Sequence, residues 1–181
     1  MKKAIFGGSF DPPHLGHLEI IEQALLCLDI DELIVVPTFI NPFKSKSYAP
    51  AHLRLKWLKS MTKKMKKVQV SSFEIDQNRP VPSIETVRHF KTDEVDTLYF
   101  IIGADNLKNL SSWNSYEALN AMVTWVVATR DKIEIPSSYL TLNVNQDISA
   151  TELRKDKLQT YLSESVAQEI ITYYNKDTSN G

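Results

Sequence analysis

AIFGGSFDPPHLGH, residues Ala4 to His17, is the stretch from which the rest of the chain is read. The apolar run Ala4-Ile5-Phe6 has the length and character of a buried strand, and Gly7-Gly8 breaks it. A turn-rich SFDPP follows, and then Leu15, Leu18, Ile21, Leu25 and Leu28 recur at the spacing of an amphipathic helix. Strand, glycine turn and helix start, in that order, set main-chain N–H groups and the positive end of a helix dipole at the carboxyl edge of a sheet, a place that holds phosphate. His14 and His17 are three residues apart, the spacing that puts two side chains on one helix face. Two imidazoles there can donate to phosphate oxygens and stabilise charge that develops in a transfer. Gly16 between them spares a side chain where a substrate approaches the backbone. Each element alone has a plainer reading, as a turn, a surface histidine or half of a metal site, although two ligands with no third in view make a poor zinc site.

Outward from that stretch, strand-like and helix-like segments alternate. Asp31 to Thr38 (DELIVVPT) reads as a second buried strand, residues 39–50 as a loop, and the segment from Ala51 to Met65 as a helix. Val68 to Ile75 alternates as a strand, and Ser83 is placed to cap a helix running to Phe90. Thr97 to Asp105 (TLYFIIGAD) repeats the opening logic of an apolar strand ending in glycine and polar residues. SYEALNAM is a short helix, VTWVVATR a buried strand closing on Arg130, and YLTLNVN a weaker last strand. Helices follow from Ser149 and from Ser163 to Tyr174, and 175–181 reads as a disordered tail. This alternation predicts an α/β fold: a single doubly wound domain over residues 1–181, with a mostly parallel sheet and helices on both faces.

The totals narrow the class. The chain has 181 residues and a formal net charge of −1, so nothing in its balance calls for a nucleic-acid or acidic-membrane partner. The basic cluster Lys63 to Lys67 (KKMKK) reads as the solvated end of a helix. Cys27 is the one cysteine and reads as a small buried hydrophobe of the first helix rather than a nucleophile. MKKAIF lacks an apolar region of signal-peptide length, and no run approaches the roughly 18 apolar residues of a membrane span. A cytoplasmic location is the expectation. The oligomeric state is not given by the sequence, and a homodimer is one assembly open to it.

Ile148 to Arg154 (ISATELR) is the second informative motif. Ser149 and Glu152 have capping-box spacing, and a capped helix start beside Ser149, Thr151 and Arg154 is also an anion site. With the opening stretch, it carries a family likeness. GGSFDPPHLGH resembles the (T/H)xGH signature of the nucleotidyltransferase superfamily, whose members are Rossmann-like enzymes. ISATELR resembles the ISSTxxR motif that accompanies it, with Ala150 in place of the second serine. The string Ile102 to Trp113 (IGADNLKNLSSW) resembles the corresponding segment of the bacterial nicotinate-nucleotide adenylyltransferases.

This resemblance implies a site. ATP would be held by Gly7, Gly8, Ser9, Phe10, His17, Ile148, Ser149, Thr151 and Arg154. His14, His17, Lys44 and Arg154 would be catalytic; Lys44 comes from PTFINPFKSK, which is similar to the family's P-x-x-x-x-P-x-K loop, with Phe43 where the family usually has histidine. The pyridine substrate would meet Trp113, Asp105, Ser83 and Thr86. Pro82 and Ser83 stand where the family has the Tyr-Thr pair that reads the nicotinate carboxylate largely through main-chain N–H groups. The implied reaction joins the AMP moiety of ATP to nicotinate mononucleotide, releasing pyrophosphate and giving deamido-NAD. Mg²⁺ would arrive on the triphosphate, and no metal site is expected on the protein itself. The alternatives are a sibling enzyme acting on nicotinamide mononucleotide or phosphopantetheine, and a non-catalytic nucleotide sensor. Retention of His14, His17 and Arg154 favours catalysis over the sensor.

Overall fold

The computed structural model describes residues 1–40, 46–130, 132–145, 150–156 and 162–177. Six strands, β1 (Lys2–Gly8), β2 (Glu32–Pro37), β3 (Val68–Val70), β4 (Thr97–Gly103), β5 (Thr124–Ala128) and β6 (Leu140–Leu142), form one sheet in the order β3-β2-β1-β4-β5-β6. Every pairing is parallel. The order runs outward in both directions from the β1–β4 pair, which is the topological switch point at which such sheets bind ligands. Helices α1 (Leu15–Cys27), α2 (Ala51–Thr62), α3 (Phe73–Asp76), α4 (Ser83–Phe90), α5 (Tyr116–Met122), α6 (Ala150–Asp156) and α7 (Ala167–Asp177) surround the sheet, with a 3-10 helix over Ala104–Ser112.

Strand periodicity divides the core. Ile5, Ile34, Val36, Phe100, Ile102 and Val127 point to one face and pack with Ile84 and Val87 of α4 and Leu119 of α5. Their neighbours Ala4, Phe6, Leu33, Val35, Ile101 and Val126 point to the other and meet Ile21 and Ala24 of α1 and Leu58 of α2. This two-sided burial is why the strands read as continuous apolar runs. A third cluster, Trp57 and Ala49 with Leu153, Leu162, Val166 and Ile170, docks α6 and α7 against α2.

The sheet and its helices agree with the sequence reading, with local departures. Gly7 and Gly8 do not break β1: both are in register with β2, opposite Val36 and Pro37, and the turn comes at Ser9-Phe10. The strand expected over Val68 to Ile75 ends at Val70. Beyond it, the Ser71 hydroxyl accepts the Phe73 N–H at 3.1 Å and Ser72 bonds Asp76 at 2.7 Å, so serine side chains divert the backbone into the single turn of α3. Pro82, not Ser83, occupies the cap position of α4. Cys27 is exposed. It lies in the last turn of α1, on the flank of the face defined by Ile21 and Ala24, near Gln23 at 3.7 Å. The final helix starts at Ala167 and continues to Asp177, three residues into the segment read as tail.

Candidate active site

A cleft of about 750 Å³ opens over the switch point. It is bounded by the ends of β1, β4 and β5, the start of α1, the α3–α4 region and the start of α6. Gly7, Gly8, Ser9 and Phe10 line it. A Cβ on Gly8 would come within 3.1 Å of the Phe10 ring, which folds back over it. Phe10 itself has φ of 48°, an uncommon conformation for an aromatic residue and a local strain that functional turns carry. The turn is held by the burial of the Phe10 ring, which meets Phe6 edge-on at 5.3 Å.

His14 is extended (φ −146°, ψ 175°) and caps α1, so the two histidines do not share a helix face as their spacing predicts. They meet differently. Their rings stack at 3.6 Å, and the His14 N–H donates to Nδ1 of His17 at 3.1 Å. Phe10 adds an edge contact to His17 at 4.8 Å. Burial, then the neighbouring His14 and Arg130, keep the His17 imidazole well below the usual histidine range. With Nδ1 used as an acceptor, neutral His17 carries its hydrogen on Nε2 and is a donor there.

A buried brace holds the loops around the histidines. Arg54 of α2 is fully buried and donates to the carbonyls of Ala49 (3.1 Å), Ser9 (2.6 Å), Thr38 (2.7 Å) and Phe39 (2.8 Å). The Asp11 carboxylate accepts the N–H groups of Tyr48 (2.6 Å) and Ala49 (2.9 Å) and the hydroxyl of Tyr174 from α7. Burial and the adjacent Asp11 raise the Tyr174 phenol above its ordinary range, so it stays a donor. Arg154 donates to the Asp11 carbonyl and to Thr151 Oγ1 at 3.3 Å, while its guanidinium lies 4.0 Å over the Tyr48 ring.

Val81, Pro82, Ser83, Thr86 and Trp113 also line the cleft. Trp113 is half-buried and edge-on to Phe100 (6.3 Å) and Trp125 (6.2 Å), which fix its ring. Pro82 contributes no N–H, so the unpaired donors of the first turn of α4 begin at Ser83. The Thr86 hydroxyl is already committed, donating to Oε1 of Glu74 at 2.5 Å. Asp105 faces Arg130 at 3.6 Å across the ends of β4 and β5, and the carboxylate of Asp105 folds so close to Gly103 that a Cβ there would meet it at 2.6 Å.

The cleft therefore brings together His14, His17, Gly7, Gly8, Ser9, Phe10, Thr151, Arg154, Ser83, Thr86, Asp105 and Trp113. Lys44, Ile148 and Ser149 lie outside the described residues. Sequence reasoning passed over Asp11, Glu74 and Arg54. Only Arg54 left a trace: it is an arginine on the same helical stripe as Trp57 and Leu58. Among the described residues no group of three His, Cys, Asp or Glu side chains could hold a metal ion.

The cytidylyltransferase-like family matches this chain over residues 5–156. A curated "probable nicotinate-nucleotide adenylyltransferase" of Sulfurimonas denitrificans is 50% identical over 174 residues, covering 96% of this chain and 95% of its own length. One of the same name from Campylobacter fetus is 46% identical over 177 residues, covering 97% and 98%. The solved structure of Plasmodium falciparum nicotinic acid mononucleotide adenylyltransferase complexed with NaAD superposes with a TM-score of 0.78 at 22% identity, over 97% of both chains, and so shares the fold. With its sheet order, its HLGH-capped first helix and these relatives, the chain belongs to the cytidylyltransferase-like family and, within it, to the nicotinate-nucleotide adenylyltransferases.

Proposed function

We propose that this chain is a single nucleotidyltransferase domain that transfers AMP from ATP to nicotinate mononucleotide, giving deamido-NAD and pyrophosphate. A phosphate oxygen of the mononucleotide attacks the α-phosphorus of ATP, the new P–O bond forms, and the bond to the leaving pyrophosphate breaks. Both reactants are anions, so the protein's task is to position them and offset their repulsion. The observation that carries this reading is the His14–His17 pair: the His14 N–H occupies Nδ1 of His17, which directs a neutral Nε2–H donor to the phosphates over the switch point. Arg154, Thr151 and the main-chain N–H groups at the start of α1 support it as further anion contacts, and Lys44 is proposed as a second cation beside Arg154.

Trp113, Ser83 and Asp105 supply the pyridine end in this reading, with Thr86 acting through Glu74. Mg²⁺ is carried in on the triphosphate, whose oxygens and water are its natural ligands. No helix among the described residues is long and apolar enough to cross a membrane; action in the cytoplasm belongs to the proposal. So does the possibility of a homodimer, which sedimentation tests. The decisive experiment is pyrophosphate release with ATP and Mg²⁺, comparing nicotinate mononucleotide, nicotinamide mononucleotide and phosphopantetheine. The nicotinate form is expected to be preferred. Preference for another acceptor would move the chain to a sibling activity, and silence with all three in a folded sample would favour a sensor.

A further inference from the structure

Glu74 is 5% exposed, yet it lines the same cleft as Pro82, Ser83, Thr86 and Trp113. Its Oε1 accepts the Thr86 hydroxyl at 2.5 Å, while Oε2 is shielded from water and takes no hydrogen bond from any described residue. A buried carboxylate with one neutral donor and no cation is a poor place for a negative charge. The neutral acid fits better, with Oε1 filled by Thr86 and the proton on Oε2.

We propose that Glu74 is a specificity-determining residue which, as the neutral acid, admits a pyridine carboxylate at the start of α4 and, once ionised, repels it in favour of an uncharged pyridine amide. The proposal rests on the reading of the site as a pyridine-mononucleotide site. Its physical basis is proximity of like charge in a shielded place: a substrate carboxylate and an ionised Glu74 share one end of the cleft, where water screens them poorly. Pro82 sharpens the need, because it removes one main-chain donor from the turn that faces the substrate.

Glu74 ionises in a useful range, since burial pushes its carboxyl up to about 7 against the opposing Thr86 hydrogen bond, with Glu85 adding repulsion. The other charged groups around it are accounted for. On α4, Glu85 is paired with Arg79 at 2.6 Å, Arg88 is exposed to solvent, and His89 stacks on Phe73 at 3.9 Å. Asp76 of α3 accepts from Ser72. On β2, against which α3 packs, the one charged residue is Glu32, paired with Lys3 at 2.8 Å. The same cleft is lined by His14, His17, Arg154, and Asp105 paired with Arg130.

The test is the ratio of kcat/KM for nicotinate mononucleotide to that for nicotinamide mononucleotide, between pH 6 and pH 8.5. The phosphate is common to both substrates, so its own ionisation cancels. In the unaltered enzyme the ratio should fall about tenfold over this range, through KM rather than kcat. Glu74→Gln, which keeps an acceptor for Thr86 and cannot ionise, should flatten the profile. A flat ratio in the unaltered enzyme, or an unchanged fall in the variant, would overturn the proposal. A measurement without the variant is calorimetry at pH 8 in two buffers of different ionisation enthalpy. Binding of the nicotinate form should take up about half a proton more than binding of the amide form, the amount that goes with a tenfold fall, and equal uptake would overturn the idea. No turnover of nicotinate mononucleotide at any pH would instead sink the functional reading itself, and this proposal with it.

Discussion

Nη1 of Arg54 donates to the Ser9 carbonyl at 2.6 Å, so helix α2 grips the loop that leaves β1. The same guanidinium reaches the carbonyls of Thr38, Phe39 and Ala49, which joins three turns at the floor of the site. Arg54→Leu would leave these acceptors without their donor. The expected loss is about 3 kcal/mol in urea unfolding, with a rise in KM for ATP because the phosphate loop loosens. Arg54→Lys restores the charge but not the planar fork, and should recover only part of the loss.

His17→Ala should reduce kcat by about two to three orders of magnitude while the protein stays folded. Its stability profile should change as well. The folded imidazole lies below its ordinary value, so on acidification the unfolded chain takes up the proton first. This histidine therefore lowers stability as pH falls below about 6.5 and has no such effect above it. The variant should lose less stability than the parent between pH 7 and pH 5 in thermal melts. Unchanged turnover would remove His17 from the reaction.

Trp113→Ala should raise KM for the pyridine substrate about tenfold, the order expected for one lost stacking contact. KM for ATP should stay nearly constant. Equal rises for both substrates would mark Trp113 as a structural member of the Phe100–Trp125 cluster.

Glu74 carries a stability signature of opposite sign to His17. Its folded value of about 7 lies above the ordinary 4.5, so the folded state holds the proton longer. Stability falls as pH rises from the unfolded value through the folded one, by up to about 3 kcal/mol. Glu74→Gln removes the ionisation and should be more stable than the parent at pH 8, with the difference vanishing near pH 4.5. Denaturation midpoints at the two pH values check this.

Tyr174→Phe deletes the hydroxyl that α7 donates to Asp11. The loss of this partly buried, charge-assisted bond should cost about 2 kcal/mol. The amides of Tyr48 and Ala49, which share the same carboxylate, should exchange faster with deuterium.

The sheet and its ligand edge were legible because they depend on local pattern. The apolar runs Ala4–Phe6, Leu33–Val36, Tyr99–Ile102 and Trp125–Ala128 are each buried on both faces, so composition alone reveals them. The cleft-lining histidines, Arg154 and Trp113 were legible through motif spacing. What stayed hidden depends on partners distant in sequence. Glu74 is an ordinary glutamate until Thr86 and the cleft wall close over it, and Asp11 is an ordinary turn aspartate until Tyr48, Ala49 and Tyr174 arrive. The end of β3 was misjudged for a local reason: Ser71 and Ser72 offer the backbone hydroxyl partners that alternation does not register. Cys27 was misjudged because a helical stripe gives little guidance in its last turn.

The Tyr174–Asp11 contact spans 163 residues. During synthesis, β1 and its turn leave the ribosome long before the helix that completes them. The central strands can pair early, whereas the Asp11 loop waits for a helix made 163 residues later. Closure of the site mouth thus waits for α7, and a nascent chain stalled before that helix would carry a formed sheet with an unfinished mouth.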